Sequence, residues 1–228
     1  MVRRLEAFSD IVIGFSLAQV GLSLVIPPHA IEFVMRPLGI FAFVVTFTVV
    51  VRFWWTHFKI FRHYFEPNRL MITCNFIALA GLILQVFSLQ LFLHFGPTSE
   101  AMVAARIYFG LFSLAYGALG LMFALGLRYR WNLLAVSDRR AGLRDMLAVW
   151  GTVLGCILGN ALSTNDATQV YVMVLDQKHL VASAPTTIFL FTFVGWIAGL
   201  VAGRLVARFG AGGTAEVRVR SEPVTKSS

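Results

Sequence analysis

A carboxylate stands where an apolar segment begins. Asp10 and the preceding Ser9 come directly before the run from Ile11 to Ile26, which contains no charged residue. An ionised side chain costs about 2.5 to 3.5 kcal/mol at the centre of a membrane helix, so such a group must find a partner or water. Asp10 therefore predicts either a hydrogen-bond network or an aqueous path at this point of the chain.

Candidate donors for this carboxylate lie in two later apolar segments. Trp54 and His57 are three residues apart and share one face of a helix, and Asn75 lies one turn into the next segment. Their indole, imidazole and amide groups are able to satisfy Asp10 and Ser9. These five side chains are the first candidate site.

Two residues of this region allow another interpretation. Trp54 lies near the predicted end of a span, where tryptophan is most often an interfacial anchor. Arg52 is either a further donor to Asp10 and Ser9 or a residue whose side chain snorkels inward. The sequence leaves both possibilities open.

Polar side chains recur along one side of the first helix. At 100° per residue, Val12, Ser16, Gln19 and Ser23 form a stripe. Either these groups bond to other helices, or they line a hydrated path that large apolar side chains close by drying. The large side chains beside the stripe are Phe8, Phe15, Leu22 and Ile26.

The motifs of several other functions are missing from the sequence. It has no Thr-Val-Gly-Tyr-Gly filter, no Walker A loop, no His-Glu-x-x-His and no Gly-x-Ser-x-Gly, and its histidines are scattered. Cys74 and Cys156 both fall inside apolar runs, which favours buried free thiols over a disulfide or a metal site. We expect neither an enzyme nor a bound cofactor or metal.

Helices must position all of these groups within a membrane. The 228 residues are 58% hydrophobic and 13% charged, with a mean hydropathy of +0.77, outside the usual composition of soluble domains. The net charge of +8 does not indicate a nucleic-acid partner, because the basic residues lie mostly between apolar runs. The sequence predicts an all-α integral membrane protein with six spans, at residues 6–26, 37–58, 70–93, 101–127, 143–163 and 186–208.

The flanking charges predict the orientation. Fifteen Lys and Arg residues flank the spans on one side and three on the other, which places both termini in the cytoplasm. A signal peptide is the alternative for residues 1–26, but Pro27 and Pro28 interrupt that segment and its removal would spoil the charge alternation. We predict a six-helix transmembrane domain over residues 1–209 and a disordered basic cytoplasmic tail over 210–228.

Glycines spaced by four predict close helix packing. One ridge consists of Gly151, Gly155 and Gly159, and the other of Gly195, Gly199 and Gly203. Glycine lets two helix backbones approach each other in a membrane. Whether the ridges contact each other or a neighbouring subunit stays open.

Three segments resemble one known family in the same order. Arg4-Leu-Glu-Ala-Phe-Ser-Asp10 is similar to the Arg-x-x-x-Phe-Ser-Asp signature of the transmembrane protein 175 family, potassium channels of lysosomes and bacteria. Phe53-Trp54-x-x-His57 resembles the aromatic-Trp-x-x-His segment of that family, and Asn75 stands where its third helix has an asparagine. The resemblance is clear over residues 4–76, and beyond them it is one of topology.

The resemblance implies a homotetramer whose four first helices line a central pore. An apolar ring would select ions at Phe15, with further pore-facing layers near Gln19 and Leu22. Our hypothesis for the mechanism of such a pore is that Gln19, Ser16 and Ser23 offer replacement oxygens to the partly dehydrated ion. Phe15 is bulkier than the β-branched or leucine side chain usual in the family, and Gln19 brings an amide to an apolar layer. A network would hold the pore helices in register, formed by Arg4, Phe8, Ser9, Asp10, Trp54, His57 and Asn75.

The function expected from these patterns is passive potassium conduction across a cell membrane. The organism implied is bacterial and the membrane its inner one, since no lysosomal sorting signal or second repeat is present. One alternative is a proton-coupled transporter in which Asp10 and His57 titrate. Another is a non-conducting membrane scaffold. Other copies of the chain and the lipid bilayer are the expected partners.

Overall fold

Six long helices and one short β-hairpin make up the described part of the chain. The structure, a computed structural model, describes residues 2–22, 37–95, 100–163, 170–174, 177–181 and 183–209. The helices are α1 (Val2–Leu22), α2 (Pro37–Lys59), α3 (Arg69–Phe95), α4 (Ala101–Arg130), α5 (Val136–Leu162) and α6 (Ser183–Phe209). A π-helical turn, Ile60–Tyr64, continues α2, and a 3₁₀ turn, Trp131–Leu133, follows α4. The predicted tail, 210–228, lies outside the described residues.

The apolar runs of the sequence become membrane-spanning helices. Five stretches of the described chain have the length and hydropathy of a span: Val2–Leu22, Arg69–His94, Met102–Leu133, Val136–Leu162 and Ile188–Val206. The chain is therefore a multi-pass membrane protein. The sixth predicted span, 37–58, coincides with α2, whose first side chains lie outside the described residues, and a sixth crossing stays a prediction.

A β-hairpin precedes α6, where the sequence predicts no regular structure. Strand β1 (Val170–Val174) pairs antiparallel with β2 (Gln177–Val181), with Val170 opposite Val181 and Val174 opposite Gln177. Strand β1 is a run of five apolar residues and β2 begins with three polar ones, so neither shows the apolar–polar alternation that marks a half-buried strand. The protein is otherwise helical in its described part.

The two glycine ridges contact each other. A Cβ added to Gly155 would meet the carbonyl of Phe191 and lie 3.1 Å from the Cα of Gly195, and one added to Gly199 would lie 2.9 Å from the Cα of Ala148. Helices α5 and α6 thus pack backbone against backbone, through Gly151, Gly155 and Gly159 on one side and Gly195, Gly199 and Gly203 on the other. This settles the open question in favour of contact within one chain.

Large buried side chains join α2, α3 and α4 into the core. Phe53, Leu82, Tyr116 and Phe123 are fully or almost fully buried. The Tyr116 hydroxyl donates to the carbonyl of Val49 at 2.9 Å, which ties α4 to α2. Cys74 and Cys156 are buried free thiols, as predicted.

Near the π-helical turn, an ion pair and a tyrosine hydrogen bond connect the end of α2 to α5. Lys59 pairs with Asp145 of α5, and the hydroxyl of Tyr64 donates to the carbonyl of Asp138 at 3.0 Å. Burial, with a smaller effect of the nearby Asp145 and Asp138 carboxylates, raises the pKa of Tyr64 to about 12. The phenol therefore stays protonated and keeps its role as a donor at physiological pH.

Candidate functional site

Helix α1 is attached to the rest of the chain by one narrow face. Ser9, Ile13, Ser16 and Val20 point into the protein and are buried, and they fall within an arc of about 60° around the helix. This face packs against α2 and α3. The other described residues leave most of the circumference of α1 uncovered.

A buried chain of hydrogen bonds runs from α1 through α3 to α2. The Asn75 Nδ2 donates to Ser9 Oγ at 3.2 Å, and Asn75 Oδ1 lies 2.7 Å from His57 Nε2. Ser9 Oγ in turn donates to the carbonyl of Leu5 at 2.9 Å. All three polar side chains are 0 to 1% exposed, so each depends on the others for its hydrogen bonds.

The His57 ring is also fixed by stacking. It lies 4.5 Å from the ring of Phe61 and 6.2 Å from that of Phe53, at interplanar angles of 28° and 16°. Because Asn75 Oδ1 accepts, the Nε2 of His57 carries the proton in this arrangement. The Nε2–H of the imidazole therefore acts as a structural donor to Asn75.

The carboxylate of Asp10 meets the indole of Trp54. The Trp54 Nε1 donates to Asp10 Oδ1 at 3.2 Å, and both residues are exposed. The structure thus gives Asp10 the indole partner that the spacing predicts, although Trp54 is also placed to serve as an interfacial anchor. His57 bonds to Asn75 and not to the carboxylate.

Two further members of the predicted network lie at its edge. Phe8 is 47% exposed, and its ring lies 6.0 Å from that of Phe76. Arg4 is exposed near the start of α1, and no hydrogen bond or ion pair joins it to another described residue. The structure brings Ser9, Asp10, Trp54, His57 and Asn75 together and leaves Arg4 apart.

Arg52 does not bond to the Asp10 carboxylate. Its guanidinium lies 4.6 Å from the ring centroid of Trp196 on α6, on a side of α2 away from the network. No sequence pattern near Arg52 predicts this contact, because Trp196 lies 144 positions later in the chain. The carboxylate network and the Arg52 site are therefore separate.

The predicted pore-facing residues divide between two sides of α1. Phe15 is 67% exposed and Leu22 77% exposed, and Gln19 is half-buried beside them. Ser16 is only 2% exposed, and its hydroxyl donates to the carbonyl of Val12 at 3.0 Å, so it packs within its own chain. The remaining candidate, Ser23, lies outside the described residues.

A row of small residues on the exposed side of α1 was not among the site residues predicted from the sequence. Gly14, Ala18 and Gly21 lie on the exposed arc, and a Cβ added to either glycine would meet no atom within 4 Å. Their spacing of four and three residues is the signal that makes this row recognisable. Phe15 and this row lie on adjacent parts of the same surface.

The described residues hold no candidate metal centre. Across these ranges, no three His, Cys, Asp or Glu side chains lie close enough together to bind an ion. The candidate site thus consists of hydrogen bonds that connect α1, α2 and α3, and it lies beside the exposed face of α1.

Comparisons with known proteins point to one family. Residues 4–85 match the family model described as the endosomal/lysosomal potassium channel TMEM175. Among curated proteins, none matches the chain.

Two solved structures have a similar fold. One is a lysosomal potassium-selective channel TMEM175 homolog from Chamaesiphon minutus, with a TM-score of 0.58 and 18% identity over 90% of this chain and 97% of that one. The other is a variant of the potassium channel MtTMEM175 in complex with a nanobody fusion protein, with a TM-score of 0.60 and 16% identity over 90% and 93%. The resemblance seen in the sequence is confirmed: residues 4–85 carry the pattern of the transmembrane protein 175 family, and the chain has the fold of solved homologues of that family.

Proposed function

We propose that the chain is a passive, potassium-permeable cation channel in which four copies assemble with their α1 helices around a central pore. The two structures with a similar fold are both described as potassium channels. Residues 4–85, which match the family model, include nearly all of α1 and the network that anchors it. Passive permeation makes and breaks no covalent bond, so this function needs no cofactor.

The observation that carries the proposal is the uncovered face of α1. In a stable assembly an uncovered helix face needs either lipid or a neighbouring helix. The small row Gly14, Ala18 and Gly21 favours a neighbouring helix, because small residues let backbones approach closely in a membrane. With this row against the next subunit, the adjacent Phe15 and Leu22 turn toward a shared axis.

The network would set the rotation of α1. Ser9 is held by Asn75 on the buried side, and Phe15 follows six residues later, about 240° around the helix. Fixing Ser9 therefore also fixes the direction in which Phe15 projects. The exposed Asp10 carboxylate is next to Ser9 in the chain and would raise the local concentration of cations.

Phe15 would form the main barrier to ions. A ring of four phenylalanine side chains makes a hydrated ion shed part of its water shell, and such an apolar constriction can also close by drying. Gln19, one turn further, would offer an amide oxygen as replacement. Leu22 would form a second apolar layer, and Ser16 is not part of this pore because it packs within its own chain.

The membrane arrangement follows from the charges flanking the helices. We infer that both termini lie in the cytoplasm and that the chain resides in a bacterial inner membrane, since the Lys and Arg residues accumulate on one side of the spans. This places Asp10, Trp54 and the ion pair Lys59–Asp145 toward the cytoplasmic side.

Flux through purified protein tests the proposal. Liposomes containing the protein should take up potassium under an imposed voltage, with slower sodium flux and no saturation over a wide range of potassium concentrations. Saturable flux that requires a proton gradient would instead indicate a transporter, and the absence of flux at any voltage would indicate a scaffold.

A further inference from the structure

A cavity lies between α2, α4, α5 and α6 of a single chain, away from the carboxylate network. Its volume is about 130 Å³, and its walls are mostly aromatic and aliphatic. Phe189 and Phe193 line it and are 40% and 47% exposed on the outer surface of α6. The hydroxyls of Thr152 and Thr192 also line it, but each donates to a carbonyl of its own helix. The cavity thus has an apolar wall and lies beside an exposed apolar surface of α6.

A cation without a carboxylate partner among the described residues lines the same cavity. The guanidinium of Arg52 stacks on the indole of Trp196, and no carboxylate of a described residue pairs with it. The Nε1 of Trp196 is buried and has no hydrogen-bond partner in the described part of the chain. A charge at membrane depth is costly unless it meets an opposite charge or water. The guanidinium of Arg52 and the indole N–H of Trp196 therefore favour an anionic ligand in this cavity.

The depth of Arg52 suits a lipid headgroup. Arg52 comes seven residues before Lys59 along α2, a rise of about 10 Å, and Lys59 pairs with Asp145 at the end that the flanking charges place in the cytoplasm. The headgroup region occupies about 5 to 7 Å on each side of the hydrocarbon. An arginine side chain is long enough to reach back toward that region.

We propose that Arg52 and Trp196 bind the phosphate of an anionic phospholipid from the cytoplasmic leaflet. A guanidinium presents paired N–H donors that match phosphate oxygens, and the indole N–H supplies a further donor. One acyl chain of the lipid enters the cavity and continues along Phe189 and Phe193. Anionic lipids enrich the cytoplasmic leaflet, and their charge complements the unpaired cation.

Native mass spectrometry of the detergent-solubilised protein with phosphatidylglycerol tests this site. R52Q should weaken binding about tenfold or more, because a charge-assisted hydrogen bond is lost, whereas R52K should keep much of it. R62Q is the matched control. Arg62 is exposed on the π-helical turn, with its guanidinium 5.8 Å from the ring of Phe58, and its loss should leave lipid binding unchanged. Equal binding by R52Q and the unmodified chain would overturn the site.

If R52Q does not fold, a comparison of several ligands bound to the unmodified chain still tests the proposal. Phosphatidylglycerol should bind much more tightly than diacylglycerol with the same chains, oleate or inorganic phosphate. Equal binding of diacylglycerol would show that the phosphate is not recognised. Equal binding of oleate would assign the site to a carboxylate, and equal binding of inorganic phosphate would remove the acyl chain from the cavity. Each of these three results contradicts the proposal. Ion flux is not needed for any of these readouts, so the outcome is independent of the proposed channel function.

Discussion

Asn75 Nδ2 lies 3.2 Å from Ser9 Oγ, and this buried hydrogen bond joins α3 to α1. The other side of the same amide meets His57 at 2.7 Å. One residue thus connects three helices, and the orientation of α1 depends on it.

Asn75→Leu should destabilise the protein. The substitution leaves His57 Nε2 without its partner in a buried place, and an unsatisfied buried polar group costs about 1–3 kcal/mol. We expect a lower thermal unfolding temperature in detergent. Thr73→Ala is the control on the same helix, because Thr73 is exposed and donates only to the carbonyl of Arg69. Equal effects of the two substitutions would contradict a special role for Asn75.

The contact between Trp54 and Asp10 should appear as a coupling energy. In a double-mutant cycle of Trp54→Phe and Asp10→Ala, each of which removes one partner of the hydrogen bond, we expect a coupling of about 0.5–1.5 kcal/mol, the usual net contribution of one hydrogen bond. Thermal unfolding of the four proteins measures it. A coupling close to zero would mean that Trp54 acts only as an interfacial anchor.

Gly151→Ala should disrupt the packing of α5 on α6. The added methyl group would meet the carbonyl of Gly195 and lie 2.9 Å from the Cα of Gly199, and neither backbone atom can move aside easily. Overpacking of this kind costs about 1–3 kcal/mol. Gly117→Ala in α4 is the control, since its Cβ would meet nothing within 4 Å. That change should leave stability unchanged or raise it, because alanine favours the helix. If both variants unfold at the same temperature, the ridge contact is not important for stability.

Phe15→Ala should raise potassium flux and weaken the discrimination between potassium and sodium. Removing four large rings would widen the constriction, so ions would keep more of their water. Separate potassium and sodium fluxes in liposomes measure both effects. Phe87→Ala is the control, because Phe87 is 56% exposed on α3 and belongs to neither α1 nor the network. Unchanged fluxes with Phe15→Ala would remove Phe15 from the constriction.

Local patterns predicted much of the site. The three-residue spacing of Trp54 and His57 predicted that both residues share a helix face turned toward Ser9 and Asp10. The contacts of Trp54 with Asp10 and of Asn75 with Ser9 agree with this expectation, whereas Arg4 lies apart, and a network that holds pore helices in register stays a prediction. The direction in which Ser16 points from α1 was harder to predict. A short polar side chain can bond to its own helix, and this hydroxyl does so.

Contacts between distant segments could not be predicted from the sequence. The glycine spacing predicted two ridges, but not that α5 and α6 would be each other's partner. The contact of Arg52 with Trp196 depends on the packing of α2 against α6, which no local pattern specifies. The same holds for the β-hairpin, since strand pairing is set by residues outside each strand.

Thiol block of a Phe15→Cys channel tests most directly whether α1 helices surround an ion path. The native thiols, Cys74 and Cys156, are buried, and Leu158→Cys on the exposed side of α5 provides a matched accessible thiol. We predict that a cationic thiol reagent abolishes potassium flux through the Phe15→Cys protein and leaves the Leu158→Cys protein conducting. Full modification of Cys at position 15 with undiminished potassium flux would contradict the account.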